Sequence, residues 1–241
     1  MTASITSSIA SSIGPTIQPE NIALDPILAD DHPDLLAKYN IDNTSGDILI
    51  DESPNGRDVT VTGGLVTRTG IIADGLDFSG ATRVTQTPPW GSNPTELCLC
   101  GWVQLDVLDN GYWFGHRDST NDLLQVRFNN TGEIRLQVRS SGTAIQQPES
   151  AVVDLTTAPR FLRLNFDRNN DRIELFLDEV SIIVDTTVWA GTISSNEFNL
   201  GAYKPALSHE GFMNGMQDEV RFFNRPTTAT EGAALFAEVT P

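Results

Sequence analysis

Two carboxylates stand close together in the run Ile173–Asp178, where Glu174 and Asp178 are the nearest this chain comes to a catalytic acid pair. Retaining glycoside hydrolysis needs two carboxyl groups about 5–5.5 Å apart, one as nucleophile and one as acid. Phe176 stands between these two, and solvated positions on an alternating strand account for both acids. The histidines do not supply an alternative. His32 falls in a predicted linker, His116 after a predicted strand and His209 in a late loop, and no serine or cysteine nucleophile motif accompanies any of them. Catalysis is not expected.

Metal and thiol chemistry are equally sparse. Asp167, Asn169 and Asp171 alternate through a predicted hairpin turn, and Asp51, Asp58 and Asp74 fall in predicted loops. Calcium takes six to eight oxygens from flexible loops of this kind. Asp and Asn also occupy turns for conformational reasons, so no ligand set is assigned; no cofactor is required and calcium is left open. Cys98 and Cys100 share one face of a strand with nearly parallel side chains, a poor geometry for a disulfide. They are expected as buried free thiols. Pro88-Pro89-Trp90-Gly91-Ser92-Asn93-Pro94 is a stiff loop centred on an indole. A rigid exposed Trp90 would stack on a sugar ring or anchor a protein partner; turned inward, it would form a lid over one end of a core. Tyr203 and His209 share that rim in the loop 202–210, while Trp102 and Trp113 are expected in the core.

The elements that position these residues are strands. Leu124, Val126 and Phe128 alternate with Gln125 and Arg127, and Ile134, Leu136 and Val138 alternate with Arg135, Gln137 and Arg139. Leu162, Leu164 and Phe166 repeat the pattern into Ile173, Leu175 and Leu177. Leu97–Leu105 is apolar on both faces, which predicts a central strand covered on both sides. Asp109-Asn110-Gly111 is a strong hairpin signal ahead of Tyr112–Gly115. At 241 residues one sandwich accommodates all of this without a stabilising metal or disulfide. A formal charge of −17 argues against nucleic acid and anionic membrane surfaces, and no apolar run approaches the ~20 residues of a membrane span.

The most informative stretch is Gly211–Arg225. Alternation there predicts that Met216, Asp218, Val220 and Phe222 face one way and Gln217, Glu219, Arg221 and Phe223 the other. Phe212, Gly215, Asp218, Glu219, Val220, Arg221, Phe222, Phe223, Asn224 and Arg225 resemble the closing signature of laminin-G-like, concanavalin-A-type domains. Gly75–Gly80, Gly101-Trp102-Val103 and Phe198–Gly201 match further landmarks in the right order. The resemblance implies an all-β fold: a two-sheet antiparallel jelly-roll sandwich over residues 35–241, with an extended N-terminal arm and linker over 1–34. It departs from the family at Asp178-Glu179, where an Asp-Gly turn is usual, and from the related glucanases at Phe176, where their Glu-x-Asp-x-x-Glu spacing has an acid.

The arm reads differently from the rest. Ile5, Ile9, Ile13 and Ile17 recur every four residues in an uncharged Ser/Thr/Ala run, giving one apolar stripe whether the arm is helical or extended. They are expected to bind a partner subunit. A laminin-G-like domain without an export signal suggests a virion location. The expected function is therefore a non-enzymatic phage structural protein, a capsid decoration or tail-accessory adhesion protein. It would dock through its arm onto other virion proteins, as a homo-oligomer, and display its sandwich to a host-surface glycan. The alternative is a free, extracellular, carbohydrate-binding lectin-like domain.

Overall fold

A computed structural model describes residues 26–117, 122–140, 143–187, 192–202 and 211–238. The described strands are β1 (Leu35–Ser45), β2 (Ile48–Asp51), β3 (Val59–Thr62), β4 (Thr67–Thr69), β5 (Asp74–Phe78), β6 (Arg83–Gln86), β7 (Glu96–Leu105) and β8 (Tyr112–His116). They continue as β9 (Leu123–Phe128), β10 (Ile134–Ser140), β11 (Thr143–Gln146), β12 (Arg160–Asp167), β13 (Arg172–Leu177), β14 (Val180–Asp185), β15 (Phe198–Leu200) and β16 (Gly215–Phe223). One helix, α1 (Ala229–Glu238), and a 3-10 turn at Pro26–Leu28 complete the described elements. The fold is an all-β antiparallel sandwich. Its front layer runs β2-β1-β16-β7-β12-β13-β14 and its back layer β3-β6-β15-β8-β9-β10-β11, the two joined where β2 pairs with β3. The β4–β5 hairpin extends the front layer beside the first half of β16.

Alternation places the core. Leu124, Val126 and Phe128 on β9 and Ile134, Leu136 and Val138 on β10 are buried, and so are Leu162, Leu164, Phe166, Ile173 and Leu175 on β12 and β13. These residues meet between the layers. β7 has a second role. Its Leu97, Leu99, Val103 and Leu105 enter that interior, while Cys98, Cys100 and Trp102 join a smaller cluster on the outer face with Phe161, Phe223 and Leu235. Helix α1 and the 3-10 turn cover this cluster, with Trp102 stacked on Phe236 at 5.6 Å and Ile27 only 1% exposed. The two-sided apolar run of β7 thus has a cover for each face, and both thiols are buried and free.

Two features of the front layer depart from simple alternation. Glu219 has a positive φ of 50° and the β16–β7 register shifts between Asp218 and Arg221, which marks a bulge. Before it, Gln217 crosses the interior to donate to the Trp113 carbonyl at 3.1 Å. Asp218 is turned to the β4–β5 loop, accepting from the Ile71 and Ile72 amides at 2.8 and 3.2 Å. Met216 and Asp218 therefore do not share the face of Val220 and Phe222; the extra residue of the bulge reverses the alternation. The second departure is the turn between β13 and β14. Asp178 and Glu179 both take left-handed φ values, 47° and 62°, the geometry of a two-residue hairpin without the usual glycine.

The end of the leader is fastened to the sandwich. Asn224 donates to the Asp34 carbonyl at 2.9 Å, and the Arg225 guanidinium bridges Asp34 and Glu231, both at 2.6 Å. Glu231 also closes a capping box at the start of α1: it accepts from the Thr228 amide at 2.7 Å and donates its own amide to the Thr228 hydroxyl at 3.2 Å. Hydrogen bonding to Arg225 holds the Glu231 carboxyl down at about 2.

Two expected outcomes follow from this packing. Gly232 of α1 lies directly against the buried Arg163–Glu179 ion pair, and a Cβ there would collide with both side chains. Gly232→Ala should lower the urea-unfolding free energy by about 2–4 kcal/mol, the 3–5 kcal/mol of a broken buried pair less roughly 1 kcal/mol of helix propensity; an unchanged or raised value would refute the packing. The second concerns acid. The folded Glu231 titrates below its unfolded counterpart, so its ion pair stabilises the fold above about pH 4.5 and loses that effect as pH falls towards 2. Asp218, pushed up to about 7 chiefly by burial, works in the opposite sense between about pH 4 and 7. Its effect cancels when wild type is compared with Glu231→Gln. The stability difference between these two should be about 1 kcal/mol at pH 6 and fall to roughly a quarter of that at pH 2.5, as read by denaturant titration at each pH.

Candidate functional site

The outward positions of β12 and β13 form one wall and the floor of a groove. Because Leu164, Phe166, Ile173 and Leu175 point into the sandwich, the alternating residues Asn165, Asp167, Glu174 and Phe176 point away from it. The chain returns over them at Pro226, Thr227 and Ala229, just before and at the start of α1. The space enclosed is about 350 Å³. It combines an aromatic ring with carboxylates, a guanidinium and an amide within one recess.

Each wall is held rigidly. Asn165 donates to the Thr227 carbonyl at 2.7 Å and accepts from the Thr227 amide at 3.1 Å, pinning the return segment to β12. Thr227 Oγ1 also accepts from Arg163 Nη1 at 3.1 Å. The Arg163 guanidinium lies 3.7 Å from the centre of the Phe176 ring and makes a two-point ion pair with Glu179. Burial works most strongly against the charge of Arg163, but the hydrogen bonds and charge of Glu179, together with Cys98 and Cys100, outweigh it and hold the group above its ordinary range. Phe176 is thereby fixed on one face by a neutralised cation, and its half-buried ring lines the groove with the other. At the rim, Arg172 reaches Glu174 Oε2 through Nε and Nη2 at 3.0 and 2.6 Å, and Ser181 donates to Glu174 Oε1 at 2.6 Å. Asp167 accepts from the Asn170 amide and side chain at 3.0 and 2.7 Å.

This arrangement suits binding better than bond cleavage. Glu174 opens on the groove and is tied to Arg172, whereas Asp178 sits in the β13–β14 turn, accepts from the Phe161 amide and pairs with Arg160. Each acid is neutralised by its own arginine, Glu174 by Arg172 on β13 and Asp178 by Arg160 on β12. The loop acids considered for calcium serve turns. Asp51 accepts from the Lys38, Ser53 and Arg57 amides, and Asp58 from the Asp51 amide. Among the described residues no group of three His, Cys, Asp or Glu side chains is placed to hold a metal ion.

Of the residues assigned from the sequence to partner or ligand binding, Trp90 alone falls among the described residues; Ile5, Ile9, Ile13, Ile17, Tyr203 and His209 lie outside them. The Trp90 ring is half-buried between the layers, with its centroid 5.3–5.8 Å from those of Phe114, His116, Phe198 and Phe222. It is a lid over one end of the core, not an outward platform. Arg57 donates to the Pro89 carbonyl at 2.6 Å and holds the loop beside a polar recess of about 510 Å³. The groove residues were not picked out from the sequence as a binding site. The available signal was Phe176, an aromatic at an outward position of a cleanly alternating strand.

No protein-family model matches the chain, and no curated protein matches it either. Solved structures do. Domain 4 of AbnA, a GH43 extracellular arabinanase from Geobacillus stearothermophilus solved in complex with arabinotriose, superposes with a TM-score of 0.66 at 18% identity, covering 84% of this chain and 98% of that domain. Botulinum neurotoxin type C, whose cell entry is dependent upon interaction with two ganglioside molecules, gives 0.67 at 13% identity over 87% of this chain. The binding domain of Paraclostridial Mosquitocidal Protein 1 gives 0.65 at 11% identity over 86%. The chain spans about half the length of both toxin chains, 52% in each case. At these identities the likeness establishes a shared sandwich fold.

Proposed function

We propose that this chain is a non-enzymatic carbohydrate-binding sandwich of lectin type that seats a sugar in the groove between β12–β13 and the start of α1. The observation that carries the reading is Phe176, half-buried, locked from beneath by Arg163 and lining a recess whose rim offers Asp167, Arg172 and Glu174. Sugars are bound by this combination: an aromatic face for the C–H side of the ring and planar polar groups for its hydroxyls. A structural neighbour solved with arabinotriose and another that engages gangliosides support the class of ligand without locating it. The groove is preferred to the Trp90 rim because the indole is committed to the core.

The leader has a separate role in this proposal. Its isoleucine repeat, at Ile5, Ile9, Ile13 and Ile17, would dock on neighbouring subunits of a phage particle and leave the sandwich facing outward. Because the segment from Ile27 to Asp34 is packed against the domain, the docking function is assigned to residues before it.

Phe176→Leu keeps apolar bulk over Arg163 but removes the ring, and should weaken glycan binding about tenfold, in line with the ~0.5–1.5 kcal/mol of an aromatic contact, while leaving the melting temperature near wild type. Isothermal titration against hits from a glycan array reads this, and equal affinity in the two proteins would rule out the groove. Removing residues 1–25 should leave the sandwich folded but lower the oligomeric state in light scattering and abolish incorporation into particles. Truncated protein that still assembles and incorporates would overturn the docking role.

A further inference from the structure

Resting on the glycan-binding reading, we infer that the groove selects uncharged sugars and rejects those carrying carboxylates, such as sialylated or uronic-acid glycans. The inference comes from counting which charges a ligand in the groove meets. Two carboxylates, Asp167 and Glu174, line it, with one guanidinium, Arg172. That guanidinium is already engaged twice by Glu174 Oε2. The second cation nearby, Arg163, lies beneath Phe176, is 1% exposed and is matched by Glu179, so it presents no charge to the groove. The remaining lining groups are neutral, and Asn165 has its amide committed to Thr227 on both sides.

The hydrogen-bonding capacity has the same bias. Both oxygens of Asp167 and Oε1 of Glu174 hold one donor each and keep room to accept another, whereas Glu174 Oε2 is filled by Arg172 and the Ser181 hydroxyl is spent as a donor to Glu174. A sugar hydroxyl can donate to such acceptors and complete them. A ligand carboxylate cannot donate; it would face two like charges at hydrogen-bonding range with a single, occupied cation to offset them. The net charge of −17 adds to the bias only locally, since at physiological salt charges beyond about 8 Å are screened. The two sugar-related structural neighbours bracket the choice, one holding neutral arabinotriose and the other engaging gangliosides. The groove chemistry here favours the neutral side.

The test uses the full chain on an array carrying neutral and acidic glycans, followed by titration of a uronic-acid trisaccharide against its own methyl ester, two ligands that differ only at the carboxyl group. Wild type should bind neutral glycans and prefer the ester by at least tenfold, about 1.4 kcal/mol. Asp167→Asn combined with Glu174→Gln should reduce that preference to less than threefold. Asp167→Asn alone, which leaves the Arg172–Glu174 pair in place, should reduce it part-way and guards against loss of fold in the double variant. Acidic glycans bound by wild type and lost in Phe176→Leu would overturn the selectivity while keeping the groove as a sugar site. A preference for the ester that survives both carboxylate variants would overturn its cause. Absence of any glycan binding would sink the underlying reading itself.

Discussion

A single buried cation organises the outer face of the front layer. Arg163 is 1% exposed, and an arginine so placed costs several kcal/mol unless its charge and donors are met. Glu179 meets them with two hydrogen bonds, Thr227 with a third, and Phe176 covers the plane of the guanidinium. Each of these contacts sets a larger element. Reaching Arg163 requires Glu179 to hold a left-handed φ, which costs about 1–2 kcal/mol for a residue with a side chain and fixes the β13–β14 turn. Thr227 fixes the segment that returns over β12. The close seat of Gly232 on the ion pair sets how near α1 approaches the sheet.

A second buried cation lies further along the same face. Arg221 is 4% exposed and bridges Glu219 and Glu238, joining the bulged end of β16 to the last turn of α1. Burial raises the Glu219 carboxyl, with Arg221 and then Lys38 pulling the other way. Lys38 in turn pairs with Asp30 and Glu52, so the leader's end is drawn into the same network. The helix is therefore held at its start by Arg225 and at its end by Arg221, with Gly232 seated on the Arg163–Glu179 pair and the Trp102, Phe161 and Phe236 rings packed between these points. Such a helix is a fixed wall, which a preformed groove needs.

What could be read from the sequence depended on whether the deciding interaction was local. The β9–β10 and β12–β13 pairs were legible because one buried face forces strict alternation and a one-residue slip would expose every core side chain. β7 was legible as a two-sided strand because Cys98, Cys100 and Trp102 have no polar reading. The reversal in β16 was not, since the bulge depends on a left-handed Glu219 and on loop amides at Ile71 and Ile72, far away in the chain. Trp90 shows the same limit. Its prolines announce a stiff loop, but its direction depends on the gap left among Phe114, Phe198 and Phe222 on three other strands. The missing glycine at Asp178-Glu179 was visible, but not its compensation, because Arg163 looked like one more outward polar residue.

The same long-range dependence explains why the groove lies where it does. A sandwich keeps its large apolar side chains between its layers, so the outward face of a strand is polar by default and offers nothing for a sugar ring to rest on. Here α1 covers only part of the front layer. Under it the face is apolar and charge-paired; beyond β14 it gives way to solvent. Phe176 sits at the boundary, near enough to Arg163 to be held by the buried network and far enough from α1 to keep its other side open. A longer helix or one displaced towards β13 would bury that ring and fill the recess; a shorter one would uncover Arg163 and release it. The extent of α1, set at one end by the Thr228–Glu231 capping box and at the other by Arg221 and Glu238, therefore decides both the stability of the outer face and the existence of the recess on it.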